Sequence, residues 1–180
     1  VKKIDINNEA RDCRMLSFLP GNFLGDIEPK KSLMANLGVF LANLNQKLDG
    51  FHSDAIRARN YEWDLQNLPL NRKHISAIHD PKQRRIVAYF FQKFDLLVAP
   101  CIPELRKAYI HSDFNEWNVL AEGDQALGLI DFGDMVYSPL INEVATALCY
   151  LSYDKDTFFD WTTPFLKAYH KIIPLKKKEI

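Results

Sequence analysis

Apolar residues recur along this chain at two periods, and each period predicts a different element. In "EPKKSLMANLGVFLANLNQKLDG", Leu33, Leu37, Phe40, Leu41, Leu44 and Leu48 return every three or four residues, the spacing of one helical face. Pro29 suits the first turn of that helix and Gly50 its end. "HDPKQRRIVAYFFQKFDLLVAP" predicts a second long helix, with Asp80 as N-cap, Pro81 in the first turn, and Pro100 and Pro103 as stops. Its Phe90, Phe91 and Phe94 are expected in the core and its Lys82–Arg85 run in solvent. "SPLINEVATALCYLSY" predicts a third helix, capped by Ser138 with Pro139 in the first turn. "DTFFDWTTPFLKAYHKII" predicts two short helices, because Pro164 lacks the N–H that a continuous ladder needs.

Between the helices the pattern is strand-like. "CRMLSFLPG", Cys13–Gly21, predicts a strand ending in a Pro-Gly turn, while the preceding "VKKIDINNEA" carries no element of its own. "KAYIHSD" predicts a short strand running into a loop, and "WNVLAEGDQALGLIDF" a hairpin turning at Gly123-Asp124. "NYEWDLQNLPL" is expected as a loop. A strand, two long helices, a polar loop, a small hairpin and further helices make an α+β chain in which helix dominates.

Composition narrows the function. The 180 residues suit one domain, or one and a fragment, and a 47% hydrophobic content supports a real core. Lys plus Arg at 23 balance Asp plus Glu at 23, so the broad basic face of a sequence-independent nucleic-acid binder is excluded and no nucleic-acid partner is expected. No uninterrupted apolar run approaches the roughly 20 residues of a membrane span, and the N-terminus has no signal-peptide pattern. No membrane partner is therefore expected. Cys13, Cys101 and Cys149 are scattered and form no CxxC. They are expected as small core residues in a cytoplasmic protein, without a zinc site.

The segment "YIHSDFNEWNVLAEGDQALGLIDFGDMVYSPLINE", Tyr109–Glu143, sets His111, Asp113, Asn118, Asp131 and Asp134 among strongly apolar residues. An antiparallel hairpin lays the start of its first strand beside the end of its second, about 5 Å away. Asn118 and Asp131 are thus expected side by side, with Asp113 on the loop that feeds the same end. Oxygen donors of this kind suit a hard cation such as Mg²⁺, which takes one or two carboxylates and keeps waters or substrate phosphates. An acid left free of metal can accept a proton or orient a hydroxyl. The alternative is that the aspartates cap turns and Asn118 forms an Asx-turn.

The spacing His111-x-Asp113-x4-Asn118, followed by "IDFGD" at Ile130–Asp134, resembles the catalytic and metal-binding loops of kinase-like phosphotransferases, and "HSDFNEWNVL…GLIDFGD" is most similar to the aminoglycoside phosphotransferase family. "RMLSFLPG", "YEWDLQN" and "GDMVYSPLINEVA" resemble its hydroxylysine kinase and homoserine kinase type II branch, so the resemblance runs from about Arg14 to the end. It implies γ-phosphoryl transfer from ATP or GTP to a hydroxyl of a small amine-bearing alcohol or hydroxy-amino acid, hydroxylysine first. Asp113 would be the catalytic base or orient the acceptor hydroxyl, Asn118 and Asp131 would hold Mg²⁺, and His111 would brace the loop. Ser17, Phe18 and Leu19 would form the hinge that reads the nucleotide base. Asp134 is expected as a turn cap or a second metal position, and Glu143 as a buried partner of the catalytic loop or, failing that, a solvated residue. Asp64 and Trp63 are expected either in an acceptor pocket, as an anion and a cation-packing ring, or as a turn residue and a core residue.

Two departures stand out. Ser112 occupies a position where the family usually has glycine. The lysine-bearing strand and glutamate-bearing helix of a nucleotide-clamping lobe have no counterpart, since Lys2 and Lys3 are followed by no partner helix in the expected order. The resemblance therefore implies the mostly helical C-terminal lobe of a protein-kinase-like fold, with residues 1–21 as a remnant of the N-terminal lobe and hinge strand and 22–180 as a C-terminal lobe shortened at its end. A missing N-lobe or longer polypeptide becomes an expected partner, and the isolated chain is expected to be weak or inactive. The alternative function is a non-catalytic kinase-like binding module or pseudoenzyme. A metal-dependent hydrolase fits less well, because only His111 adds an imidazole to the acids.

Overall fold

Two helices cross at the centre of the molecule at a point where one has no side chain. α1, Lys31–Leu48, buries Leu33, Leu37, Leu41 and Asn45, one residue per helical turn, against α5, Phe158–Ile172. At Gly38 of α1 an added Cβ would lie 2.2 Å from the Phe165 carbonyl oxygen of α5, so only glycine allows the two backbones to approach this closely. Phe114, Val119, Leu129, Val144 and Ala147 complete the core around this crossing. The computed structural model describes all residues except Pro29 and Asp154, so the expected first-turn role of Pro29 lies outside the described residues.

The α+β expectation holds, and among the described residues the small sheets are three. β1, Lys2–Ile6, and β2, Glu9–Cys13, form an antiparallel hairpin in which every residue is exposed. Asn7 and Asn8 turn it with φ of 57° and 64°, the paired left-handed conformation of a tight hairpin turn, which asparagine tolerates. This corrects the reading of "VKKIDINNEA" as lacking an element, and the strand expected over Cys13–Gly21 stops at Cys13. β3, Asn22–Phe23, pairs with β5, Val119–Glu122, which pairs with β6, Gln125–Leu129, around a turn where Gly123 has φ 57°. β4, Lys107–Ile110, pairs antiparallel with β7, Val136–Pro139, a strand the apolar pattern did not announce.

The helices bring further corrections. α5 is one helix with Pro164 inside it. The carbonyl freed by the missing N–H belongs to Asp160, which is exposed and can be satisfied by water, while Thr162, Phe165 and Tyr169 bury one continuous face. α4, Leu140–Leu151, begins after Pro139, and Ser138 lies in β7 instead of capping it. A short α2, Asp54–Arg57, is capped by the Ser53 hydroxyl, and Leu65–Ala77 winds through successive 3-10 turns.

α3, Pro81–Lys93, is capped by Asp80 as expected and continues through a π turn, Phe94–Val98, and a 3-10 stretch, Ala99–Glu104, that contains both prolines meant to stop it. Of its three phenylalanines only Phe91 is buried, since Phe90 is 61% exposed and Phe94 half-buried. The helix lies on the outside and shows solvent the side expected inside. The whole run, Pro81–Glu104, has 24 residues and is long and apolar enough to cross a membrane by length and composition alone. No uninterrupted apolar run underlies this match, because Lys93 and Asp95 divide the apolar stretches that the helix joins. All three cysteines are exposed, so none serves the core.

Candidate active site

β4 and the β5–β6 hairpin deliver the acidic segment to one place. After Ile110 the chain turns through Ser112, whose φ of 70° is left-handed and strained for a residue with a Cβ. The turn is held from both sides. The Ser112 N–H donates to Glu143 Oε2 at 2.7 Å, and the Asp113 N–H donates to His111 Nδ1 at 3.2 Å. His111, fully buried, therefore carries its proton on Nε2 and donates it to the Ile130 carbonyl at 2.9 Å, across the end of the hairpin. Burial depresses the His111 pKa, which keeps the ring neutral.

Asp113 is clamped by two amides. Asn115 Nδ2 donates to its Oδ1 at 2.8 Å, and Asn118 Nδ2 to its Oδ2 at 2.7 Å and its carbonyl at 3.0 Å. Asn118 is buried, and its carbonyl accepts from the Ile130 N–H at 2.9 Å, so Asn118 lies across the ladder from the residue before Asp131. Asp131 adopts φ 58° and ψ 69°, is exposed, and accepts from the Gly133 N–H through Oδ1 at 3.1 Å. Asp113 and Asn118 are thus in direct contact, and Asp131 leaves the neighbouring strand at the same end. With Asn118 Nδ2 turned to Asp113, the Asn118 Oδ1 and the second Asp131 oxygen remain as hard donors. Two such oxygens fit a cation that keeps its own waters. Among the described residues no three His, Cys, Asp or Glu side chains gather as a metal cluster.

Glu143 reaches this loop from inside α4. It is fully buried, its Oε1 has no partner among the described residues, and burial pushes its pKa up to about 7. Asp134 accepts a short hydrogen bond from the Tyr61 hydroxyl, whose pKa is raised by burial and by that contact. Arg59 stacks over the Tyr61 ring at 3.9 Å and donates to the carbonyls of Gly133 at 2.7 Å and Met135 at 3.2 Å. Asp64 is 2% exposed and spent internally: it caps the 3-10 run through Gln66 N–H, and accepts from Gln66 Nε2 and Ser138 Oγ, each at 2.6 Å. Trp63 is 76% exposed and is not a core residue. Asp64 thus fits its alternative reading as a turn-capping residue, and the exposed Trp63 does not fit its alternative reading as a core residue.

Ser17, Phe18 and Leu19 line an open, mainly apolar cavity of about 700 Å³ that Leu120, Leu129 and Asp131 close from the other side. Phe18 is 92% exposed at its rim. The residues not anticipated are Asn115, Arg59, Tyr61 and Ser138. Only Asn115 had a local signal, its place two residues after an aspartate, as in an Asx-turn; the others act across more than 70 positions of sequence.

Comparison with known proteins places the chain in a family. A family model described as "Phosphotransferase enzyme family" matches residues 5–174. The chain is 28% identical over 190 residues to the hydroxylysine kinase of Bos taurus, covering 98% of this chain and 50% of that protein. It is 27% identical over 172 residues to the homoserine kinase of Methylobacillus glycogenes, covering 94% of this chain and 51% of that one. The chain thus spans about half the length of the curated relatives it matches. Among solved structures, an aminoglycoside-3'-phosphotransferase of type VIII superposes with a TM-score of 0.56 at 19% identity, over 90% of this chain and 63% of that one. At that identity the likeness is one of fold.

Proposed function

The chain belongs to the phosphotransferase enzyme family, and on that premise we propose that it serves γ-phosphoryl transfer from ATP or GTP to the hydroxyl of a small amine-bearing acceptor, a hydroxy-amino acid of the hydroxylysine kind. The observation that carries this reading is the doubly clamped Asp113 beside Asn118, at the end of the hairpin from which Asp131 emerges toward a nucleotide-sized cavity. Asp113 accepts two amide hydrogen bonds and keeps lone pairs for the acceptor hydroxyl. It takes that proton as the hydroxyl oxygen bonds to the γ-phosphorus, and the bond from phosphorus to the β,γ-bridging oxygen breaks to release the nucleoside diphosphate. Asn118 and Asp131 are the residues that would hold Mg²⁺, which when bound supplies charge neutralisation to the phosphates. The Ser17–Leu19 segment would take the base, with Leu120 and Leu129 against its face. His111 and Glu143 fix the loop conformation and so the position of Asp113; positioning of this kind is a large share of such catalysis.

Titration of the chain with Mg²⁺ and ATP or GTP, followed by Trp117 fluorescence, tests nucleotide binding. A phosphotransfer assay with 5-hydroxylysine tests the reaction. Asp113→Asn should keep nucleotide binding and lower turnover by at least about a hundredfold. Turnover equal to the parent chain would sink the assignment of Asp113. A Mg²⁺-independent or absent nucleotide signal would favour the non-catalytic binding module.

A further inference from the structure

The Asp131–Met135 turn stands between two cavities of opposite character. Asp131 and Phe132 help to wall the apolar one described above. On its other side Gly133 and Met135 hold Arg59, and Arg59 lines a second, polar cavity of about 670 Å³. Arg57 and Lys107 also line it, together with Asn60, Gln66 and Tyr137, and no acidic residue is among its lining side chains. Three fixed cations around one concave space, uncompensated at its wall, raise the local concentration of anions.

The cations are held in ways that leave donors free. Arg57 holds its guanidinium carbon 4.5 Å from the centre of the Tyr137 ring, and its N–H groups make no side-chain hydrogen bond among the described residues. Lys107 Nζ donates to Gln66 Oε1 at 2.8 Å, and two further N–H groups remain. Gln66 is itself locked, since its Nε2 donates to Asp64 at 2.6 Å and to the Tyr137 carbonyl at 3.0 Å. Asp64, the anion expected in an acceptor pocket, is thus turned inward to organise a wall whose solvent side is cationic. The cavity adjoins the acid cluster through Arg59, Tyr61 and Asp134, which are joined by a ring stack and a hydrogen bond.

We propose that this cavity binds the carboxylate of the acceptor, Arg57 and Lys107 being its ligands and Arg59 its border with the reacting end. The proposal rests on the phosphotransferase reading and deepens it: it assigns to Arg57 and Lys107 the recognition of the acceptor's carboxylate, a group that a polycationic sugar or a plain amino alcohol lacks. Arg57 and Lys107 are specificity residues here; the chemistry remains with Asp113.

The test compares 5-hydroxylysine and homoserine, each with its own carboxamide, by calorimetric or NMR titration of the full chain in the presence of Mg²⁺ and a non-hydrolysable ATP analogue. At least one free amino acid should bind about tenfold or more tightly than its carboxamide. Arg57→Gln and Lys107→Gln, both at exposed positions, should each erode that preference, and Arg57→Lys should restore part of it. Equal affinity for acid and carboxamide in both pairs, no binding of either pair, or a preference that survives both glutamine variants would overturn the proposal. Nucleotide binding is scored separately in the same variants. Its loss in the parent chain sinks the phosphotransferase reading, whereas intact nucleotide binding with no carboxylate preference sinks the pocket alone.

Discussion

Glu143 is a carboxyl group that the fold accepts only at a cost. It is fully buried with one oxygen unpartnered among the described residues, and its pKa rises from 4.5 to about 7. The folded value lies above the unfolded one, so the folded state binds the extra proton between those limits. The stability this gives is full below about pH 4.5 and is lost progressively as pH rises to about 7. The swing is on the order of 3 kcal/mol. Urea unfolding from pH 4.5 to 8 should show that decline, and Glu143→Gln, which retains an acceptor for the Ser112 N–H, should flatten it; an unchanged slope in the variant would place the titration elsewhere. His111 acts in the opposite direction, because its depressed pKa removes stability as pH falls below about 6.5. At this scale the sequence was informative where partners are close: the contact of Asp113 with Asn118 follows from their spacing and the hairpin. The turn-capping role of Asp64 was one of its two expected readings, whereas its bond to Ser138, 74 positions away, was not legible.

Among elements, the α1–α5 crossing is set by Gly38. A methyl group there meets the Phe165 carbonyl at 2.2 Å, and a backbone atom cannot swing aside as a side chain can. Gly38→Ala should destabilise the chain by at least about 2 kcal/mol despite alanine's better helix propensity. Gly50→Ala is the control, since a Cβ there meets nothing within 4 Å. Equal urea midpoints for the two variants would show that the helices can separate without loss. Periodicity revealed α1 and α4 because their apolar stripes do face the core. It misjudged α3, whose stripe faces solvent, since periodicity records a face and not what covers it. It split α5 because Pro164 removes a hydrogen bond that this helix loses only on its solvent side. β1 and β2 went unseen because no face of that hairpin is buried, so selection for alternating polarity has nothing to act on.

Across the whole molecule, order is unevenly distributed. The core of α1, α4, α5 and the β5–β6 hairpin is continuous, whereas β1 and β2 are exposed along their full length. Hydrogen exchange should therefore find the amides of residues 2–13 exchanging with low protection while those of Leu33–Leu41 and Phe165–Tyr169 persist to global unfolding. Comparable protection in both sets would mean that the hairpin is anchored more firmly than its exposure allows. The four-pair ladder of β4 and β7 has a quieter role. Ile110 at its end leads to Asp113, Val136 opposite follows Asp134, and Ser138 within it grips Asp64. Pairing therefore works as a ruler. Sliding one strand past the other by a single residue would turn Ser138 outward, break its grip, and change the gap between the two acidic turns by a strand step of about 3.4 Å.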